Sequence, residues 1–179
     1  MKKIVLAVLT AATLFTMVGC KKADSKKFVL GLDASFPPMG FTEADGSIVG
    51  YDIDLAKEVS KRLGLEFVAK PIDWNAKEME LSSGSIDCIW NGFTITDERI
   101  NSMSFTPAYL NNDQVLVVRA KSGIKTLADA KGITVACQAG SSAEEAINDN
   151  KEFADSLKAV VYYEENLTAL TDLKVGSVI

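Results

Sequence analysis

Short apolar runs alternate with amphipathic stretches from Phe28 onward, and that alternation most restricts the folds open to this chain. Residues 28–32, 65–69, 86–90, 114–119, 133–137 and 159–163 read as strands, being brief apolar runs bounded by turn chemistry. Residues 52–63 place Ile53, Ala56, Val59, Ser60 and Leu63 on one helical face and Lys57, Lys61 and Arg62 on the other. Gly64 then stops the helix. Residues 75–82, 126–130, 141–149 and 166–175 read as further helices. Ser141 and Glu144 form a capping-box pattern, and Asn166 serves as a cap. The run 114–119 is almost continuous in Val and Leu, which predicts a strand buried on both faces. Strand and helix in strict alternation give an α/β fold with two parallel-sheet units. The polar stretch 110–113 between them is the expected crossover.

The first residues have a different logic. Lys2 and Lys3 precede an uncharged run, 4–18, which is short of the roughly 20 residues a bilayer-spanning helix needs. It fits the apolar region of a secretory signal peptide, residues 1–19. Cys20 follows Gly19 directly, which resembles the lipobox of bacterial lipoproteins. That resemblance implies that Cys20 is acylated and becomes the new N-terminus. Residues 20–27, rich in Lys, read as a flexible tether able to rest on an anionic membrane surface.

Composition removes several function classes. Lys plus Arg is 19 against 24 Asp plus Glu, a net charge of −5, which disfavours nucleic acid as a partner. There is no His, so neither His triads nor His metal ligands exist. Three Cys are too few for an all-thiolate zinc site. Cys88 and Cys137 sit in strand-like surroundings and read as inert core thiols. No cofactor is expected.

Two helix entrances look suited to an anion. In Asn91-Gly92-Phe93-Thr94-Ile95-Thr96-Asp97-Glu98-Arg99, Thr96 is a good N-cap, and Asp97 and Glu98 suit the first turn. Arg99 does not, because a cation there opposes the helix dipole by roughly 0.3–1 kcal/mol. Either a local carboxylate or solvent answers that charge, or the guanidinium clamps a ligand carboxylate with its two-pronged fork. The second entrance, Gln138-Ala139-Gly140-Ser141-Ser142, also lies between a strand and a helix. Ligands of open parallel sheets bind at the carboxyl ends of strands, so two facing units would share one cleft. Phe36 and Trp74 follow the first and second strands and are either core or cleft rim. Asp33, at a strand end, either caps a turn or accepts a hydrogen bond from a ligand.

The segments 31–39, 50–56 and 92–99 resemble the polar amino-acid family of bacterial extracellular solute-binding proteins, the capture subunits of ABC importers. The similarity covers residues 28–179. It implies a two-lobe, type II periplasmic-binding-protein-like fold that closes on an amino acid, with lobe I at 28–110 and lobe II at 111–179. It further implies that Arg99 grips the ligand α-carboxylate, helped by the backbone N–H groups of Thr94 and Ser142. The Gly92 carbonyl and Thr94 hydroxyl face the ammonium, Phe36 and Trp74 sandwich the side chain, and Asp33 and Asn91 sit near its polar end.

In this family an acidic residue from the second lobe, following a Leu-x-x-Gly-x-Asp-Ala type of segment, holds the ammonium. This sequence ends at Leu173-Lys174-Val175-Gly176-Ser177-Val178-Ile179. The resemblance therefore implies a C-terminally truncated product that binds poorly, whereas a complete receptor would be a monomer that delivers its amino acid to an ABC permease. It would be lipid-anchored on the outer face of the cytoplasmic membrane. Two alternatives share the fold: a dehydratase acting on cyclic acids, and an extracellular sensor lobe. The first would need a general acid or base among Asp33, Glu or Lys.

Overall fold

The computed structural model describes residues 26–178, so the signal peptide, Cys20 and tether residues 21–25 lie outside the described residues. The first sheet is parallel, in the order β5-β1-β6, with β1 Lys27–Leu32 at its centre, β5 Glu66–Pro71 on one side and β6 Cys88–Ile89 on the other. The tether therefore ends earlier than its composition suggests. Lys27 pairs with Glu66, and the Lys26 carbonyl accepts from the Glu66 N–H at 3.0 Å. A ladder uses backbone groups, so charged side chains do not bar these residues from it.

Between β1 and the first helix lies a small antiparallel sheet that the apolar pattern does not reveal. Its strands are β2 Ser35–Phe36, β3 Gly40–Thr42 and β4 Ile48–Val49. They are too short to show alternation. Helix α1, Tyr51–Leu63, crosses the first sheet and buries Asp52, Ile53, Ala56 and Ser60. Gly64 ends it at φ 67°, a left-handed conformation that glycine adopts without steric cost. Leu63, expected on the buried face, is exposed; it lies in the last turn beside the equally exposed Gly64. Leu30, Leu32, Ile53 and Ala56 make the first core, each large side chain contributing roughly 1.5–3 kcal/mol of burial.

The helix expected at 75–82 divides into a 3-10 turn, Trp74–Ala76, and α2, Lys77–Ser82. After β6 comes α3, Asp97–Ser102. The run 114–119 is not a strand, and it is not buried: Val115 is 76% and Val117 55% exposed. A strand exists only through a pairing neighbour, and the second sheet contains only two parallel strands among the described residues. These are β7 Thr134–Gln138 and β8 Ala159–Tyr163. Around them lie a 3-10 turn Leu127–Ala130 and helices α4 Ser142–Asp149, α5 Lys151–Ser156 and α6 Asn166–Val175. Ala130, Val135 and Phe153 form the second core. Asn166 opens α6 as its first helical residue rather than as its cap, and its amide is used elsewhere. Cys88 and Cys137 are free thiols, pushed up to about 12 and about 11 by burial.

Candidate functional site

The first face of the site grows out of β6. Its continuation, Trp90 to Thr94, is held by side chains rather than by a ladder. The Asn91 Oδ1 accepts from the Asp33 N–H at 3.1 Å. The Gly92 N–H donates to the Asp52 carboxylate at 2.6 Å, and the Tyr109 hydroxyl donates to its other oxygen at 2.8 Å. Asp52 is fully buried. Burial raises its pKa, and the bonds from Tyr109 and Gly92 work against that rise. Tyr109 is raised in turn, by burial first and by Asp52 second.

Thr96 caps α3, accepting from the Arg99 N–H at 3.4 Å. The cap turns the Arg99 side chain away from solvent, and only 4% of the residue remains exposed. Its Nη1 donates to the Thr94 carbonyl at 3.0 Å and its Nη2 to the Gly140 carbonyl at 3.4 Å. The guanidinium lies 4.5 Å from the Phe93 ring centroid. Its counter-charge is neither Asp97 nor Glu98 but Glu145, 2.9 Å away on α4. A buried cation needs such a partner, since an isolated one is expelled or neutralised. A guanidinium has more N–H groups than these two carbonyls and Glu145 use.

The second face is the start of α4. Ser141 caps the helix through the Glu144 N–H at 3.4 Å, while the Glu144 carboxylate accepts from the Gly140 N–H at 2.8 Å. The expected capping box is thus displaced by one residue. The Ser142 hydroxyl meets the Thr94 hydroxyl at 2.9 Å and accepts from Gln114 at 3.1 Å. The Asn112 amide donates to the Thr94 hydroxyl at 2.6 Å. Gln138, at the end of β7, donates to Asp33 at 2.7 Å and accepts from Asn166 at 3.0 Å.

These two faces enclose a gap of about 380 Å³, within the range of small-ligand sites. Phe36, Trp74, Asn91, Gly92, Thr94, Arg99 and Ser142 all line it. Asp33 does not: Gln138 and the Ser35 N–H occupy its carboxylate oxygens, and it is 7% exposed. Phe93, Gln138 and Asn112 are among the lining residues that carried no assigned role in the sequence. Gln138 stands in the second entrance, so its position was readable although its partner was not. The far end of the gap is apolar, with Val115, Val117, Leu170 and Val178. No group of acidic or thiol side chains suited to a metal occurs among the described residues.

Residues 28–172 match the family model described as bacterial extracellular solute-binding proteins, family 3. The arginine-binding extracellular protein ArtP of Bacillus subtilis is 34% identical over 151 residues, covering 81% of this chain and 59% of that protein. The L-cystine-binding protein TcyJ of Escherichia coli is 34% identical over 160 residues, covering 88% and 59%. Among solved structures, an ABC uptake transporter substrate-binding protein from Streptococcus pneumoniae with bound histidine superposes with a TM-score of 0.82 at 42% identity, covering 85% of this chain and 63% of that one. The chain thus spans about three fifths of the length of these relatives.

Proposed function

The chain belongs to the bacterial extracellular solute-binding proteins, family 3, and from that premise we propose that its gap binds an amino acid for an ABC importer. The observation that carries this reading is Arg99: a buried guanidinium between two sheets, with unused N–H groups, beside the start of α4. In this reading the ligand carboxylate takes the remaining N–H groups of Arg99 and the backbone N–H groups of Thr94 and Ser142. The ammonium faces the Gly92 carbonyl and the Thr94 hydroxyl. Phe36 and Trp74 flank the side chain, and Asn91 lies toward its polar end. Asp33 reaches a ligand only if Gln138 releases it, which makes the pair a gate on the polar end of the site.

The donors are divided between residues 28–110 and residues 111–179, the two lobes of this proposal. A ligand that contacts both faces favours the state in which they meet, and that difference drives hinge closure. The family and the named relatives are solute-binding proteins, which supports a reading of binding without catalysis. Names of the relatives, which bind arginine, cystine and histidine, support an amino acid as the ligand. Export by residues 1–19 and lipid anchoring through Cys20 complete the proposal, with a permease as partner.

Amide shifts in a ¹⁵N spectrum test it, with L-arginine, L-histidine, L-glutamine and L-cystine added to millimolar levels. At least one of these is expected to move the Gly92, Thr94 and Ser142 amides. No shift from any of them, or shifts confined to residues outside the gap, refutes the assignment.

A further inference from the structure

Lys77 is a buried ammonium for which the binding scheme above has no use. It is the first residue of α2, where a cation opposes the helix dipole, and it is only 5% exposed. Burial lowers its pKa, and the nearby charge of Arg99 lowers it further. Such a placement is unfavourable twice over, so a stabilising contact has to compensate.

One such contact joins the two faces beside the gap. The Lys77 Nζ donates to the Gly140 carbonyl at 3.0 Å, having also bonded the Trp74 carbonyl at 3.1 Å. Arg99 shares the same Gly140 oxygen, and the Gly140 N–H is held by Glu144. The turn that leads into Ser142 is therefore gripped from both sides. The approach is close enough to require glycine: Gly140 has φ 63°, and a Cβ there would stand 2.8 Å from the Asn75 Oδ1.

We propose that Lys77 is a positioning residue: its ammonium reaches from the first face to the second, takes the Gly140 carbonyl, and holds the turn so that the Ser142 amide faces the ligand site. It acts with or without ligand, and only its consequence for affinity rests on the amino-acid reading. Because the acceptor belongs to the opposite face, the bond ties the two faces together at this turn before a ligand arrives.

Two NMR measurements test this. In the unmodified chain without ligand, the Lys77 ammonium should give a slowly exchanging signal with a coupling through the hydrogen bond to the Gly140 carbonyl carbon. Absence of that coupling overturns the inference without any variant being made. In Lys77→Met, the Gly140, Ser141 and Ser142 amides should shift before any ligand is added, while core signals such as Leu30 stay in place. Amino-acid affinity should then fall roughly tenfold or more, the worth of a charge-assisted hydrogen bond, with partial recovery in Lys77→Arg. Unmoved amides in ligand-free Lys77→Met overturn the proposal. If the amides move but neither the unmodified chain nor the variant binds any amino acid, Lys77's positioning role stands and the ligand assignment falls.

Discussion

The two faces of the gap are built differently. On the first, side chains are sunk into a core and aimed: Trp74, Asn91 and Arg99 are all buried, on elements anchored by a three-stranded sheet. On the second, a two-stranded sheet carries a helix start that presents backbone groups and a hydroxyl, and α4 and α6 bury no residue. A fixed charge needs a rigid, dry setting to keep its direction, whereas backbone donors keep theirs through the helix itself. In the proposed reading, the first face sets what kind of group is gripped, and the second closes over it.

Arg99→Ala should break this division most severely. It removes the one cation that lines the gap among the described residues, and about 2–5 kcal/mol of binding free energy should go with it for every amino acid tried, read by titration calorimetry. Retained affinity would move the anchoring charge elsewhere. The contrast in packing is sharpened by a pair of substitutions followed in urea. Ile53→Ala, in the first core, should cost about 2–5 kcal/mol of stability, and Val117→Ser, in the exposed run, should change it by less than about 0.5 kcal/mol. A large cost at Val117 would mean that the run packs against something in solution.

Trp74→Leu should alter preference rather than remove binding. Loss of an aromatic partner shifts the ranking of ligands by about 0.5–1.5 kcal/mol, visible in competition between L-histidine and L-glutamine. The smallest effect concerns Asp52. Its folded pKa lies above the ordinary 3.8, so it holds its proton more tightly folded than unfolded. The resulting stability is complete below 3.8 and is lost as pH rises through the raised value. Asp52→Asn should lack that decline in denaturation measured from acidic to neutral pH. An identical pH profile would mean that burial is not what governs this carboxyl.

Local chemistry made much of this legible. Thr96 as a cap and Gly64 as a stop follow from side chains within a few residues of each other, and the alternation of strand and helix pointed to parallel pairing. What escaped depends on neighbours distant in sequence. The 114–119 run has the composition of a buried strand, but composition does not supply a pairing partner. Strands of two residues, such as Ser35–Phe36, are shorter than any detectable period. Arg99 was conspicuous because it violates a helix rule; its counter-ion Glu145 violates none, and only the approach of α4 across the gap brings them together. Asp33 read as either a turn cap or a ligand contact; it caps the turn through the Ser35 N–H, and its other oxygen is taken by Gln138, which lies 105 residues further along the chain.

In the proposed site, the Arg99 guanidinium still has N–H groups to give to an incoming acid. The most direct measurement follows the ¹⁵N signals of that guanidinium while the chain is titrated first with L-arginine and then with agmatine, the same molecule without its carboxylate; L-histidine and histamine form a second such pair. An amino acid should shift the Arg99 signals and its amine should not, even at far higher concentration. Equal binding of both members of a pair, with Arg99 undisturbed by either, would contradict it.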